Sequence, residues 1–328
     1  MLEVTRTIAV GVGPDGIAVD PLAHVVFVAN HDSGTVSVVD DRTQMVTDTI
    51  VVHGQPTGVA VDPTTHRAYV AQPDMQTVAV IDGRSHTLLA PILLDFQPRR
   101  LAVDPTSRRL YAAGMQAVRQ ANVAVLREID TETGKVGPTL TLGEDMDTRG
   151  LAVDPSDGRV YETGSDRSNG PLVVMLDGMR LRKLAEGLLG EDAFGIAVDT
   201  ATHGVLAASM GLTVFDGSSV EGFQHRPIYG AFLPRALPGA YGGTAVGVAV
   251  DAPTHRIFLV WVYAQQGQVI RELHAFDSTT YQEQAWTMID WRPGTGVGAA
   301  EVPLAVDTAT RAVYVVDRAR NAVLAILD

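Results

Sequence analysis

A chain of 328 residues, 46% of them hydrophobic, is long enough to bury a large core, and its net charge of −13 repels polyanions, so nucleic acid is excluded as the expected partner. Cysteine is absent, which removes disulfides, thiolate metal sites and a cysteine nucleophile from consideration. No run of 18 apolar residues suggests a membrane span, and Met1–Val10 lacks a charged segment followed by a long apolar core, so a soluble, cytoplasmic protein is expected, a trimmed signal peptide being the alternative.

In chain order, a β-branched segment, Arg6-Thr-Ile-Ala-Val10, precedes the phrase Gly16-Ile-Ala-Val-Asp20, and that phrase then recurs. It returns as Gly58-Val-Ala-Val-Asp62, Arg100-Leu-Ala-Val-Asp104, Gly150-Leu-Ala-Val-Asp154, Gly195-Ile-Ala-Val-Asp199, Gly247-Val-Ala-Val-Asp251 and Pro303-Leu-Ala-Val-Asp307, at intervals of 42 to 56 residues. Each copy leads into further strand-like segments, such as Val25-Val-Phe-Val28, then Thr35–Asp40, then Val46–Val52. Seven units of four strands predict an all-β, seven-bladed β-propeller with antiparallel blades, one domain over residues 1–328. The last unit stops after three strands, Leu304–Asp307, Ala312–Val316 and Ala322–Leu327. Because Arg6–Val10 matches Asp48-Thr-Ile-Val-Val52, the outer strand of the first unit, the N-terminal strand is expected to complete the last blade and leave no open edge.

The segments Val28-Ala-Asn30 with Ser33–Asp40, and Tyr69-Val-Ala71 with Thr77–Asp82, resemble the YVTN-type β-propeller repeat, most sharply in the first two blades. The resemblance implies the fold. It implies no activity, because such propellers include lyases, lactonases, binding proteins and scaffolds, and it carries over no catalytic residue.

Much of the apparent chemistry belongs to the repeat. Asp followed by Pro or Thr and small polar residues, as in Asp62-Pro-Thr-Thr, is turn chemistry. His24, His66, His203 and His255 share a slot four residues after that Asp and cannot converge across a wide ring. The glycine opening the phrase reads as crowding of inner strands near the axis, since no helix follows it to cradle a phosphate.

The loops before the inner strands are less regular, and in a propeller they gather at the mouth of the central channel, here termed the top. Arg99 and Arg149 fall at equivalent positions and would clamp a carboxylate or phosphate, or else join an inter-blade ion-pair network. Asp15, Asp147, Asp192 and Glu301 come from four different loops and would offer hard oxygens to Ca²⁺ or Mg²⁺. His31 and His53, with His225 in an insertion, are the candidate general bases. Insertions over 221–246 and 291–300 are apolar and read as lids. With Phe194, Tyr229, Phe232, Tyr241, Tyr263 and Trp291 they would form the aromatic side of a pocket, while Trp261 and Trp286 read as packing residues. These features suggest an enzyme acting on a small anionic or amphipathic organic molecule by non-redox chemistry, of lyase, isomerase, cyclase or hydrolase type. Arg99 and Arg149 would hold the anion, and Asp147 or His53 would move a proton. The alternative is a noncatalytic propeller that binds a protein or ligand.

Overall fold

The computed structural model describes residues 2–118, 121–144, 146–166, 170–190, 192–224, 228–229, 240–293 and 301–327. The phrase residues enter inner strands because alternating Ile/Val/Leu and Ala suit a half-buried pleat. In blade one, Pro14–Asp20 pairs with Val25–Asn30, which pairs with Thr35–Asp40, which pairs with Met45–Val51, all antiparallel. Six further sheets repeat this order, giving seven blades in a ring. The N-terminal strand Glu3–Ala9 lies antiparallel to Ala322–Leu327, with Thr7 opposite Leu324 and Ile8 opposite Val323, and so completes blade seven as expected.

Two outer strands depart from regularity. In blade two the outer strand is broken into Thr87–Leu88 and Ile92–Leu93, with Pro91, which has no N–H to give a ladder, in the gap. Blade five is completed by only Ile228–Tyr229, reached through the helix Val220–Gln224. Part of the insertion expected as a lid is therefore this short strand and helix. Phe223 of the helix is fully buried and stacks on Phe215 with ring centroids 5.0 Å apart.

The core lies between blades. Opposite the alanine of each phrase, the second strand carries Phe27, Tyr69, Tyr111, Tyr161, Leu206, Phe258 or Tyr314, all buried. Burying such a side chain contributes roughly 1.5–3 kcal/mol, repeated at every seam. On the bottom face each phrase Asp is sealed inside its turn; Asp20 Oδ1, for example, accepts the N–H groups of Leu22 and Ala23 at 3.0 Å. The histidine slot is left-handed, with φ of 59° at His24, 57° at His66, 58° at His203 and 55° at His255. From it, His66 Nδ1 reaches Asp20 Oδ2 of the preceding blade at 2.8 Å, and His203 Nδ1 reaches Asp154 Oδ2 at 2.8 Å. His66 and His203 thereby staple neighbouring blades together. Among the described residues no helix is long and apolar enough to cross a membrane.

Candidate functional site at the channel mouth

At the top the inner strands crowd the axis. A Cβ on Gly58 would sit 2.6 Å from the Arg99 carbonyl oxygen, which explains why five of the seven phrases open with glycine. Blade three is the informative exception. Arg100 takes the glycine position there, its Nε donates to the Arg149 carbonyl at 2.6 Å, and its guanidinium pairs with Glu301 before blade seven.

Three cavities meet around this pair. One of about 170 Å³ is the channel itself, lined by the phrase residues with Asp15, Arg100 and Glu301. A second, of about 370 Å³, is walled by Asp15, His31, Gln55, Thr57, Asp74, Gln97, Arg99, Arg100 and Thr148. A third, of about 490 Å³, lies against Arg149, Asp192, Phe194 and Glu301.

The charges are arranged unevenly. Arg149 is fully engaged: Nε meets Asp147 at 2.7 Å, a terminal nitrogen meets Asp192 at 2.9 Å, and the group lies 5.7 Å from the Phe194 ring centroid. Asp15 is held by Arg318 at 2.8 Å. Arg99, by contrast, is exposed, and its side chain makes no ion pair or hydrogen bond among the described residues. His31 Nδ1 lies 2.7 Å from Asp32, and this bond, more than Arg318, holds the Asp32 carboxyl below its usual value. Partial burial in the mouth, which leaves 28% of the Glu301 side chain exposed, pushes its carboxyl up to about 7, with Asp15 adding to the rise and Arg100 opposing it.

The structure therefore brings Asp15, His31, Arg99, Arg149, Asp147, Asp192, Phe194 and Glu301 to the mouth. It does not assemble the four acids into a metal site: Asp15, Asp147, Asp192 and Glu301 are each held by an arginine, and they form no group of converging ligand atoms among the described residues. His53 sits exposed in a left-handed turn at φ 63° and lines none of the three cavities. Tyr263 is a correction, because it is buried in the core between blades five and six and donates from its hydroxyl to Glu272 at 2.8 Å. Trp261 packs in that same core, whereas Trp286 is 43% exposed on the outer strand, stacked on His274. His225 and Phe232 lie outside the described residues, as do the side chains of Tyr229, Tyr241 and Trp291. Arg100, Gln55, Thr57, Asp74 and Gln97 were not singled out from sequence. Only Arg100 carried a signal, as an arginine where the phrase has glycine.

No family model and no curated protein matches the chain. Among solved structures the fold is similar to a chain of Kuenenia stuttgartiensis hydrazine synthase, with 17% identity, a TM-score of 0.71 and 96% of each chain covered. At that identity the likeness establishes the seven-bladed scaffold and nothing about the reaction.

Proposed function

We propose that the mouth binds a small organic carboxylate and moves a proton on it without redox chemistry. The observation that carries this is the pairing of Arg99, a cation without an ion pair among the described residues, with a carboxyl poised near neutrality, Glu301, around cavities that share Arg100. Arg99 anchors the carboxylate by a bidentate contact. Glu301 takes the proton from the carbon beside the anchored group and, as an adjoining carbon–carbon double bond shifts, returns it to the far carbon of that double bond in an isomerisation. In an elimination the electron pair instead expels a leaving group, which departs with that proton. Arg100 positions Glu301 and opposes negative charge that develops on the substrate, and His31 is the second proton carrier in the 370 Å³ cavity. The chain is read with this as a YVTN-type propeller, supported by Val28-Ala-Asn30 and Tyr69-Val-Ala71.

Thermal-shift titration against a panel of small hydroxy-, keto- and unsaturated carboxylic acids tests the site, followed by NMR of exchange into deuterated solvent for each acid that binds. Binding that weakens at least tenfold in Arg99→Ala, with exchange lost in Glu301→Gln, is expected. Binding without exchange would reduce the mouth to a noncatalytic ligand site, and no binding by any acid would overturn the reading.

A further inference from the structure

A second cluster lies on the bottom face, at the seam where blade seven meets blade one. The residue following the last Asp of each third strand occupies one repeated slot, filled by Gly83, Thr131, Gly178, Gly217 and Ser278 in blades two to six. The slot is tight and serves the backbone: Gly83 N–H donates to the His66 carbonyl at 2.7 Å, and Gly217 N–H to that of His203 at 2.9 Å. In blade one the slot holds Asp41, whose N–H makes the same bond to His24 at 3.2 Å, so the turn has no use for its carboxylate.

That carboxylate is 3% exposed as a residue; its Oδ2 meets His24 Nδ1 at 3.0 Å, while its Oδ1 is sealed from solvent with no hydrogen-bond partner. Across the seam stands Asp307, wholly buried, and one ligand atom each from His24, Asp41 and Asp307 lies within 4.8 Å of the others. An orphaned carboxylate oxygen beside a second buried carboxylate is costly unless a proton shared between Asp41 and Asp307, or a cation, takes it. The His24 ring, 30% exposed, provides the opening to solvent.

We propose that His24, Asp41 and Asp307 bind a divalent transition-metal cation of the Zn²⁺ or Mn²⁺ class, which bolts blade seven to blade one. One imidazole nitrogen and two carboxylates form a mixed nitrogen and oxygen donor set suited to such ions, with water completing the shell. A superficially similar trio, Asp154, Asp157 and His203, lies at the seam of blades four and five. It has no orphan oxygen: Asp157 pairs with Arg159 at 2.9 Å and Asp154 Oδ1 accepts from Ser156. That trio is the internal control.

The untagged full chain, stripped with EDTA and desalted, is titrated with ZnCl₂ and MnCl₂ by calorimetry, with bound metal counted by mass spectrometry and melting followed in parallel. One equivalent bound with a raised melting temperature is expected. Asp41→Gly, which restores the residue used in blades two, four and five, and His24→Asn, which tolerates the left-handed turn, should each weaken binding at least tenfold, while His203→Ala binds as the parent does. No uptake by the parent chain, unchanged uptake in both seam variants, or uptake abolished by His203→Ala would overturn the proposal.

Discussion

Glu162 shows how much one residue can depart from its repeat. It stands in the second strand of blade four where the other blades place Val28, Val70, Ala112, Ala207, Leu259 and Val315. It is fully buried, neither carboxyl oxygen has a hydrogen-bond partner among the described residues, and burial pushes its pKa well above the usual range, with Asp147 adding to the rise. The folded state therefore keeps a proton that the unfolded chain releases near pH 4.5. Stability falls as pH rises from about 4.5 toward the folded pKa, because there the native state binds more protons than the unfolded one. Glu162→Leu should raise stability at pH 8 by about 1–3 kcal/mol, the usual cost of a buried unsatisfied polar group, and flatten that slope. Urea denaturation at pH 5 and pH 8 measures both; a variant no more stable at pH 8 would refute the account. Arg99 is the opposite case, exposed and without an ion pair among the described residues, so Arg99→Ala should leave the melting temperature within a degree or two while weakening ligand binding.

Among the elements, the N-terminal strand does the most for its length. Glu3–Ala9 covers the whole edge of Ala322–Leu327, so removing residues 2–10 uncovers an apolar strand and opens the ring. The truncated chain should melt far below the full one and associate at micromolar concentration, as differential scanning calorimetry and light scattering would show; an unchanged melting temperature would contradict the closure. The strands, phrases and closure were legible because turn residues and alternating apolar residues recur at fixed spacing. Blade five's outer edge was not, because two residues behind a five-residue helix leave no alternation to read. The candidate site was legible where it departed from the repeat, as at Arg99, Arg149 and Glu301. Arg100 was absorbed into its own phrase, and Asp74 and Gln97 reach the mouth only through three-dimensional convergence. Tyr263 misled because a tyrosine in a long strand looks the same whether it packs in a seam or faces a cavity.

At the scale of the whole molecule, seven near-copies of one blade make a ring, and individuality is concentrated where the copies differ. A chain of net charge −13 presents at its mouth a group of arginines, all but Arg99 paired with acids among the described residues. Anionic ligands must approach against the overall field, so their association should quicken, not slow, as salt screens the protein. Stopped-flow rates at 20 and 200 mM salt check this. The titration of Glu301 should set the pH response in the same region. As pH falls through about 7 its carboxyl takes up a proton and an anion meets Arg99 and Arg100 with less negative charge nearby; as pH rises that charge returns. The most direct measurement is calorimetric affinity for a bound carboxylate across pH 5.5 to 8.5 in the parent chain and in Glu301→Gln. Affinity that falls through a midpoint near pH 7 in the parent chain, and stays level in the variant, is the predicted result. The same fall in both proteins would contradict the assignment of Glu301 as the titrating group of the mouth.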